Sequence, residues 1–212
     1  MLISKINDLE KRIENLENKF DKMDKEIING KNENKNELYN SDILNNDDCE
    51  ILKKWFDPYN KKTIKLLYKA SSDGDSVDDF YRKCEGEGPS ITIVLSVDGN
   101  KFGGYTSLSW KKPILSKKEE NKYYSDPEAF IFSLNKQKIY FQKEKGMNNA
   151  ICMWLKRGPS FGGGNDLTIA NNCLKNNKSH STPKTYLSDS NDLNGKNNYF
   201  KVKDYEVYSI SN

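Results

Sequence analysis

The clearest pattern along the chain is an alternation. Ile91, Ile93, Leu95 and Val97 recur every second residue, with Thr92 and Ser96 between them. That is the period of a strand with one buried face. Asp98-Gly99 follows, and glycine tolerates the positive φ that a tight hairpin turn demands. With those two residues as the loop, Leu95 sits opposite Phe102 and both point into one core. Gly103 and Gly104 then face Val94 and Ile93, as a bulge or a close approach of backbone. Further strands are predicted at Thr63–Ala70, at Ala129–Leu134 with Phe130, Phe132 and Leu134 on one side, at Lys138–Gln142 and at Ala150–Leu155. Gly158–Ile169 reads as a glycine-rich loop running into Leu167-Thr168-Ile169. Asn171–Asn198 is polar, with no period that assigns it to a strand or helix. Tyr199–Ile210 closes the chain as a strand whose phase slips near Asp204, the mark of a bulge.

Two helical periods flank this core. At the N-terminus Leu2, Ile6, Leu9, Ile13, Leu16, Phe20, Met23 and Ile27 are spaced alternately by four and three. Ile6, Ile13, Phe20 and Ile27 take position a of a heptad, and Leu2, Leu9, Leu16 and Met23 take position d, a pattern that favours two parallel helices. Lys5, Arg12 and Lys19 at g meet Glu10, Glu17 and Asp24 at the partner's e positions. Each such exposed pair is worth about 0.3–0.5 kcal/mol, so the charges choose orientation while the apolar seam holds the helices together. The competing reading is an amphipathic helix folded back on its own domain. Residues 30–46 read as a flexible polar linker. A short helix follows from Asp47 or Asp48, as N-cap, to Phe56, with Ile51, Leu52, Trp55 and Phe56 on one face and Pro58 ending it. Ser76 and Asp79 form an S-x-x-D capping box. The helix it opens carries Val77, Phe80, Tyr81 and Cys84 on one face, and Gly86 closes it.

Many short strands with Gly and Pro turns and only short helices predict a mainly β fold, a β-sandwich of two antiparallel sheets. Domains are expected at 1–29 (coiled coil), 30–46 (linker) and 47–212 (sandwich). At 212 residues and 35% hydrophobic, the chain buries one moderate core. Its net charge of +3 matches neither a nucleic-acid coat nor a membrane-surface protein. No apolar run approaches the roughly 18 residues of a membrane span. Residues 1–12 lack the apolar segment of a secretory signal, so cytosol or nucleus is expected. Cys49, Cys84, Cys152 and Cys173 are then reduced thiols. No C-x-x-C pair marks a metal or redox motif.

Taken in order, the pieces resemble the TLDc domain, the C-terminal domain of oxidation-resistance proteins. The resemblance rests on L-L-Y-K-A-S-S-D-G (Leu66–Gly74), S-V-D-D-F-Y-R-K-C (Ser76–Cys84, with Ser76, Asp79 and Phe80) and G-P-S-I-T-I-V (from Gly88 and Pro89). It continues in F-G-G-Y-T-S (Phe102, Gly103, Gly104), A-F-I-F-S-L (Ala129–Leu134), F-G-G-G-N-D-L (Phe161, Gly162, Gly163, Gly164, Asp166, Leu167) and F-K-V-K-D-Y-E-V-Y (Phe200–Tyr208, with Glu206). It covers about residues 50–212. It implies two antiparallel sheets packed face to face with short flanking helices. It also implies a role in oxidative-stress protection and, for several members, binding to the vacuolar proton-pumping ATPase. The chain departs from longer members in carrying a coiled coil in place of their accessory domains.

No catalytic set is legible. His180 is the only histidine, so Ser-His-Asp or Cys-His catalysis requires it. It lies in a polar segment and is expected at the surface. Gly162–Gly164 precedes a strand-like run rather than a helix, which makes it a structural turn rather than a phosphate cradle. Cys84 and Cys152 are expected buried and inert. Cys173, in the polar segment, is the candidate exposed, oxidisable thiol. Tyr59, Lys61 and Lys62, with Lys53 and Lys54, form a basic and aromatic cluster that reads as a solvated helix end or as a nucleic-acid contact. The reading is a non-enzymatic interaction module without a cofactor, dimerised by its coiled coil, with the vacuolar ATPase as the partner the resemblance implies. The alternative is a dimeric DNA-binding regulator of stress-response genes.

Overall fold

In the computed structural model, which describes residues 12–14, 16–19, 21, 36–57, 61–114, 121–195 and 198–211, the central alternating strand has both faces buried. It is β2 (Ser90–Ser96), following β1 (Thr63–Lys69). Ile91 and Ile93 point to an outer layer that includes Leu38, Ile43, Leu52 and Phe56, and Leu95 packs partly against it. Val94 points the other way, into the space between two sheets. Thr92 and Ser96 share that inner face and are fully buried. The expected assignment is thus inverted: the apolar alternation faces the outer cover, and small polar residues accompany Val94 inside. Val97 leaves the pattern, 55% exposed in the turn.

The hairpin partner is β3 (Lys101–Thr106), and its register is one residue off the expected one. Val94, not Leu95, pairs with Phe102, which sets Gly103 against Ile93 and Gly104 against Thr92. The turn is longer than the expected two-residue loop. The amide of Gly99 donates to Ser96 O, that of Ser96 donates to Asn100 O, and Gly99 holds φ +83. This is a type I turn closed by a left-handed glycine. Both glycines of the pair are needed for close approach. A Cβ on Gly103 would lie 1.9 Å from the Thr92 carbonyl oxygen, and one on Gly104 2.7 Å from the Phe161 ring.

Two antiparallel six-stranded sheets form the β-sandwich. The first runs β1, β12 (Val202–Ser211), β2, β3, β5 (Phe130–Ser133), β6 (Lys138–Tyr140). The second runs β11 (Tyr199–Phe200), β10 (Ser179–His180), β9 (Leu167–Ala170), β8 (Arg157–Phe161), β7 (Ile151–Trp154), β4 (Asn121–Tyr124). The chain changes sheet at Lys201, and the register of β12 against β2 slips between Val202 and Asp204, the expected bulge. Between the sheets Trp110 meets Phe161 and Phe80 edge-on at 5.9 and 5.5 Å, and its Nε1 donates to Ser90 Oγ at 2.9 Å.

The helices are α1 (Asn46–Phe56), α2 (Ala70–Asp73) and α3 (Val77–Cys84). The cap of α1 is Asn45, ahead of the expected Asp47 or Asp48. Asp48 serves as the reciprocal N3 member of a capping box, which places both acidic residues inside the first turn where the helix dipole favours them. Phe56 stacks on Phe130 at 5.4 Å, and Trp55 lies 5.7 Å from Phe132. The capping box of α3, Ser76 with Asp79, is as read from the sequence.

Two other expectations fail, and a stretch left without assignment takes its place in the fold. Residues 36–46 are not a linker: Asn36 bridges to Ile64, Glu37–Asn40 is a 3-10 turn, and Leu38 and Ile43 are buried. Arg157–Phe161 is a strand rather than loop. Pro159 obscures it, and the register slip between Arg157 and Ser160 accommodates the missing amide. Residues 171–195 are built into the second sheet through β10, with Cys173, Tyr186 and Leu193 buried.

The chain divides into two units, Met1–Lys35 and Asn36–Asn212. In the first, residues 12–14, 16–19 and 21 are helical, with Ile13 54% and Leu16 64% exposed. Leu2, Ile6, Leu9, Phe20, Met23 and Ile27, the other positions of the expected seam, lie outside the described residues, as do Pro58 and Tyr59. No described helix is long and apolar enough to cross a membrane.

Candidate functional site

The charged and glycine-rich motif residues converge on internal hydrogen bonds. Asp79 accepts from Ser76 and pairs with Arg82 at 2.9 Å, and these bonds hold its carboxyl below the usual carboxylate range. Phe80 is buried against Tyr68 and Trp110. Gly88 holds φ +77, and the Pro89 carbonyl accepts from Ile210.

Gly162–Gly164 forms the β8–β9 turn, with Gly162 at φ +83. The Gly163 amide donates to Thr185 Oγ1 at 2.8 Å. A Cβ on Gly163 would meet Asn149 at 2.9 Å, and one on Gly164 would meet Lys184 at 2.5 Å. The run is therefore a packing surface, as its place before a strand implied. At its end Asp166 is fully buried, and Oδ1 accepts the amides of Lys184, Thr185 and Tyr186, each at 2.8 Å. Oδ2 has no hydrogen-bond partner among the described residues. Burial pushes the carboxyl above its usual value of 3.8 against the pull of those amides.

Glu206, on β12, is 1% exposed. Its Oε2 accepts from the hydroxyls of Ser41 and Tyr208, and its Oε1 lies 3.9 Å from Lys69 Nζ. Lys69 also pairs with Asp42 and lies 4.0 Å from Asp204. The cluster fastens residues 41–42 to the first sheet.

This arrangement of paired sheets, caps and buried carboxylates coincides with a family match: the TLDc domain model covers residues 38–211. The chain belongs to the TLDc domain family. No curated protein matches it. The match begins at Leu38, inside the segment read as linker, in agreement with the burial of that leucine.

Within the TLDc domain the expected surface chemistry is relocated. Cys49, Cys84, Cys152 and Cys173 are all free and all buried. Cys173, expected exposed, is fully buried at the start of the 3-10 turn Cys173–Lys175 after β9, and burial pushes its thiol up to about 12. A thiol held protonated in this way is a poor nucleophile and a poor oxidant target. His180, expected at the surface, is 8% exposed on β10 with the Tyr199 ring 5.4 Å away. Burial pushes its pKa below 6.5, and the Arg157 charge pushes it the same way. Among the described bonds His180 meets Arg157 and the Lys178 carbonyl, and no Ser or Cys donates to it. The residues that sequence reasoning passed over are Trp154, Arg157 and Lys178, which border a cleft beside His180. The only hint was the clustering of cations in W-L-K-R and N-N-K-S-H.

Proposed function

We propose that this chain is a non-enzymatic interaction module of the oxidation-resistance kind, acting in the cytosol in the response to oxidants and binding a protein partner, with the vacuolar proton-pumping ATPase as that partner. One observation carries the reading: Asp79, Asp166, Glu206 and the glycine run, the motif residues with chemistry to offer, are occupied in holding the domain together. What the TLDc domain presents outward is shape and charge. The N-terminal heptads would pair two copies, and in the single chain the described seam residues Ile13 and Leu16 are helical and uncovered. Two copies would bind a two-site partner with greater avidity.

The test is capture of the ATPase from solubilised vacuolar membranes on immobilised full chain, beside an unrelated coiled-coil protein. Retention of peripheral subunits on this chain alone supports the partner, and their absence removes it. Light scattering on the full chain and on residues 36–212 reads the dimer separately: a dimer and a monomer are expected. Peroxide survival of cells carrying His180→Ala or Cys173→Ser, with unchanged protein levels, should equal that with the parent.

A further inference from the structure

The β7–β8 turn and the loop after β9 enclose a cleft of ≈ 490 Å³, bordered by Trp154, Lys156, Arg157, Asn172, Asn176 and Lys178. Three of these are cations, and among the described residues no carboxylate lines the space. Arg157 is half-buried, its guanidinium carbon 5.7 Å from the centre of the Trp154 ring and its Nη1 3.3 Å from Nδ1 of His180. Nδ1 of His180 lies 3.3 Å from both Arg157 Nη1, which can only donate, and the Lys178 carbonyl, which can only accept; in either tautomer the ring carries no negative charge. His180 therefore satisfies a hydrogen bond without supplying a countercharge. Elsewhere the chain pairs its sequestered cations: Lys69 and Lys101 both face carboxylates. Among the described residues neither Arg157 nor Lys178 has such a pair.

The frame of the cleft is rigidly built. Asn176 Nδ2 donates to the carbonyls of Asn171 and Asn172 at 2.9 and 2.6 Å, and its Oδ1 accepts the Lys178 amide at 2.8 Å. Asn171 in turn caps α3 through the Val77 amide at 2.9 Å. Asn172 is held in the left-handed region at φ +52. Lys178 is thus placed by a fixed loop, and Arg157 by its aromatic and imidazole neighbours.

We propose that this cleft binds a phosphate group, carried on a phosphorylated side chain of a peptide or on a small metabolite. A single carboxylate would balance only one of the two charges of Arg157 and Lys178, whereas a phosphate monoester brings nearly two charges and three acceptor oxygens. The arginine fork suits two of those oxygens, and a mobile lysine suits the third. The volume falls within the roughly 300–1,000 Å³ of small-ligand sites, leaving room for what carries the phosphate. This site does not depend on which protein the domain binds.

Pyrophosphate titrated calorimetrically into the full chain at low salt tests it. One saturable site is expected, weakened about tenfold in Lys178→Gln and more in Arg157→Gln. Lys178 is exposed, so its variant reads the site without disturbing the fold. Arg157→Lys, which keeps the charge and loses the fork, should fall between Arg157→Gln and the parent. No binding at millimolar pyrophosphate, or equal affinity in the parent and Lys178→Gln, overturns the proposal. A phosphoserine peptide and its unphosphorylated twin then separate the sources. A phosphopeptide tighter than pyrophosphate assigns a protein ligand, and the reverse assigns a metabolite. Equal binding of the two peptides, with no response to pyrophosphate, discards the phosphate site.

Discussion

Asp166 and Glu206 do the same job at different places in the sandwich by different means. Each is a buried carboxylate that fastens a polar segment to a sheet. Asp166 holds residues 184–186 with three backbone amides on one oxygen and no ion pair among the described residues to balance it. Glu206 holds residues 41–42 through the Ser41 hydroxyl and, at 3.4 Å, the Asp42 amide, with the Tyr208 hydroxyl also on it and Lys69 at 3.9 Å. Amides in a fixed loop have nowhere else to go, whereas hydroxyls rotate and a lysine can find other carboxylates. The first hub is therefore a rigid structural element and the second a clamp. The difference predicts what each tolerates.

The largest effect is expected from removing the clamped segment. A chain beginning at Asp47 lacks Leu38 and Ile43, each worth about 1.5–3 kcal/mol of burial, and leaves Glu206 without Ser41. With total stability near 5–15 kcal/mol, that chain should be unfolded or molten by near-ultraviolet circular dichroism, while one beginning at Asn36 should melt cooperatively. Equal melting of the two would mean that residues 36–46 decorate the fold rather than complete it.

Next comes Asp166→Ala. It strands three buried amides, at about 1–3 kcal/mol each if wholly unsatisfied, so a loss of at least about 3 kcal/mol is expected in denaturant unfolding. Asp166→Asn keeps an acceptor in the same place but sets its NH2 where Oδ2 has no partner, so it should cost about 1–3 kcal/mol, less than Asp166→Ala. Glu206→Ala is expected to cost less than Asp166→Ala, about 1–3 kcal/mol, and to do so locally. Its signature is faster hydrogen exchange at the amides of Ile43 and Leu44, which donate to Ser41 Oγ, with exchange in β2 unchanged. If Glu206→Ala proved the costlier change, the contrast between rigid hub and clamp would be wrong.

These two hubs also mark where the sequence was legible and where it was not. The strands around Ile91–Leu95, the capping box at Ser76–Asp79 and the bulge near Asp204 depend on neighbours within a few residues, and all three could be read. Which way β2 faces could not, because Thr92 and Ser96 look like a solvent side yet are buried between the sheets. Nor could residues 36–46, whose order comes from a carboxylate 165 positions away in the chain. Asp166 stood out as a motif residue, but its partners lie 18–20 positions on in a stretch without period. Cys173 and His180 were misplaced for that reason: a polar segment pinned by remote hydrogen bonds buries residues that composition alone would leave exposed. The Arg157–Lys178 cleft joins two such stretches, so beyond the cations in W-L-K-R and N-N-K-S-H nothing local announces it.

The smallest effect is the response of the Asp166 hub to pH. Burial raises the Asp166 carboxyl above its ordinary 3.8, so over the interval between 3.8 and its folded value the folded state holds a proton that the unfolded state has lost. The favourable contribution of the protonated group is present below 3.8 and disappears as pH rises through the folded value. An asparagine in its place carries no such dependence. The Asp166→Asn variant should therefore gain on the parent as pH climbs from about 4 to 7, even though it starts behind. His180 works in the opposite direction, since its lowered pKa removes stability as pH falls below 6.5, but it is common to both proteins and cancels in the difference. The quantity to measure is the difference in unfolding free energy between parent and Asp166→Asn across that range at constant ionic strength. A difference that stays flat would show that the three amides hold Asp166 ionised at all these pH values.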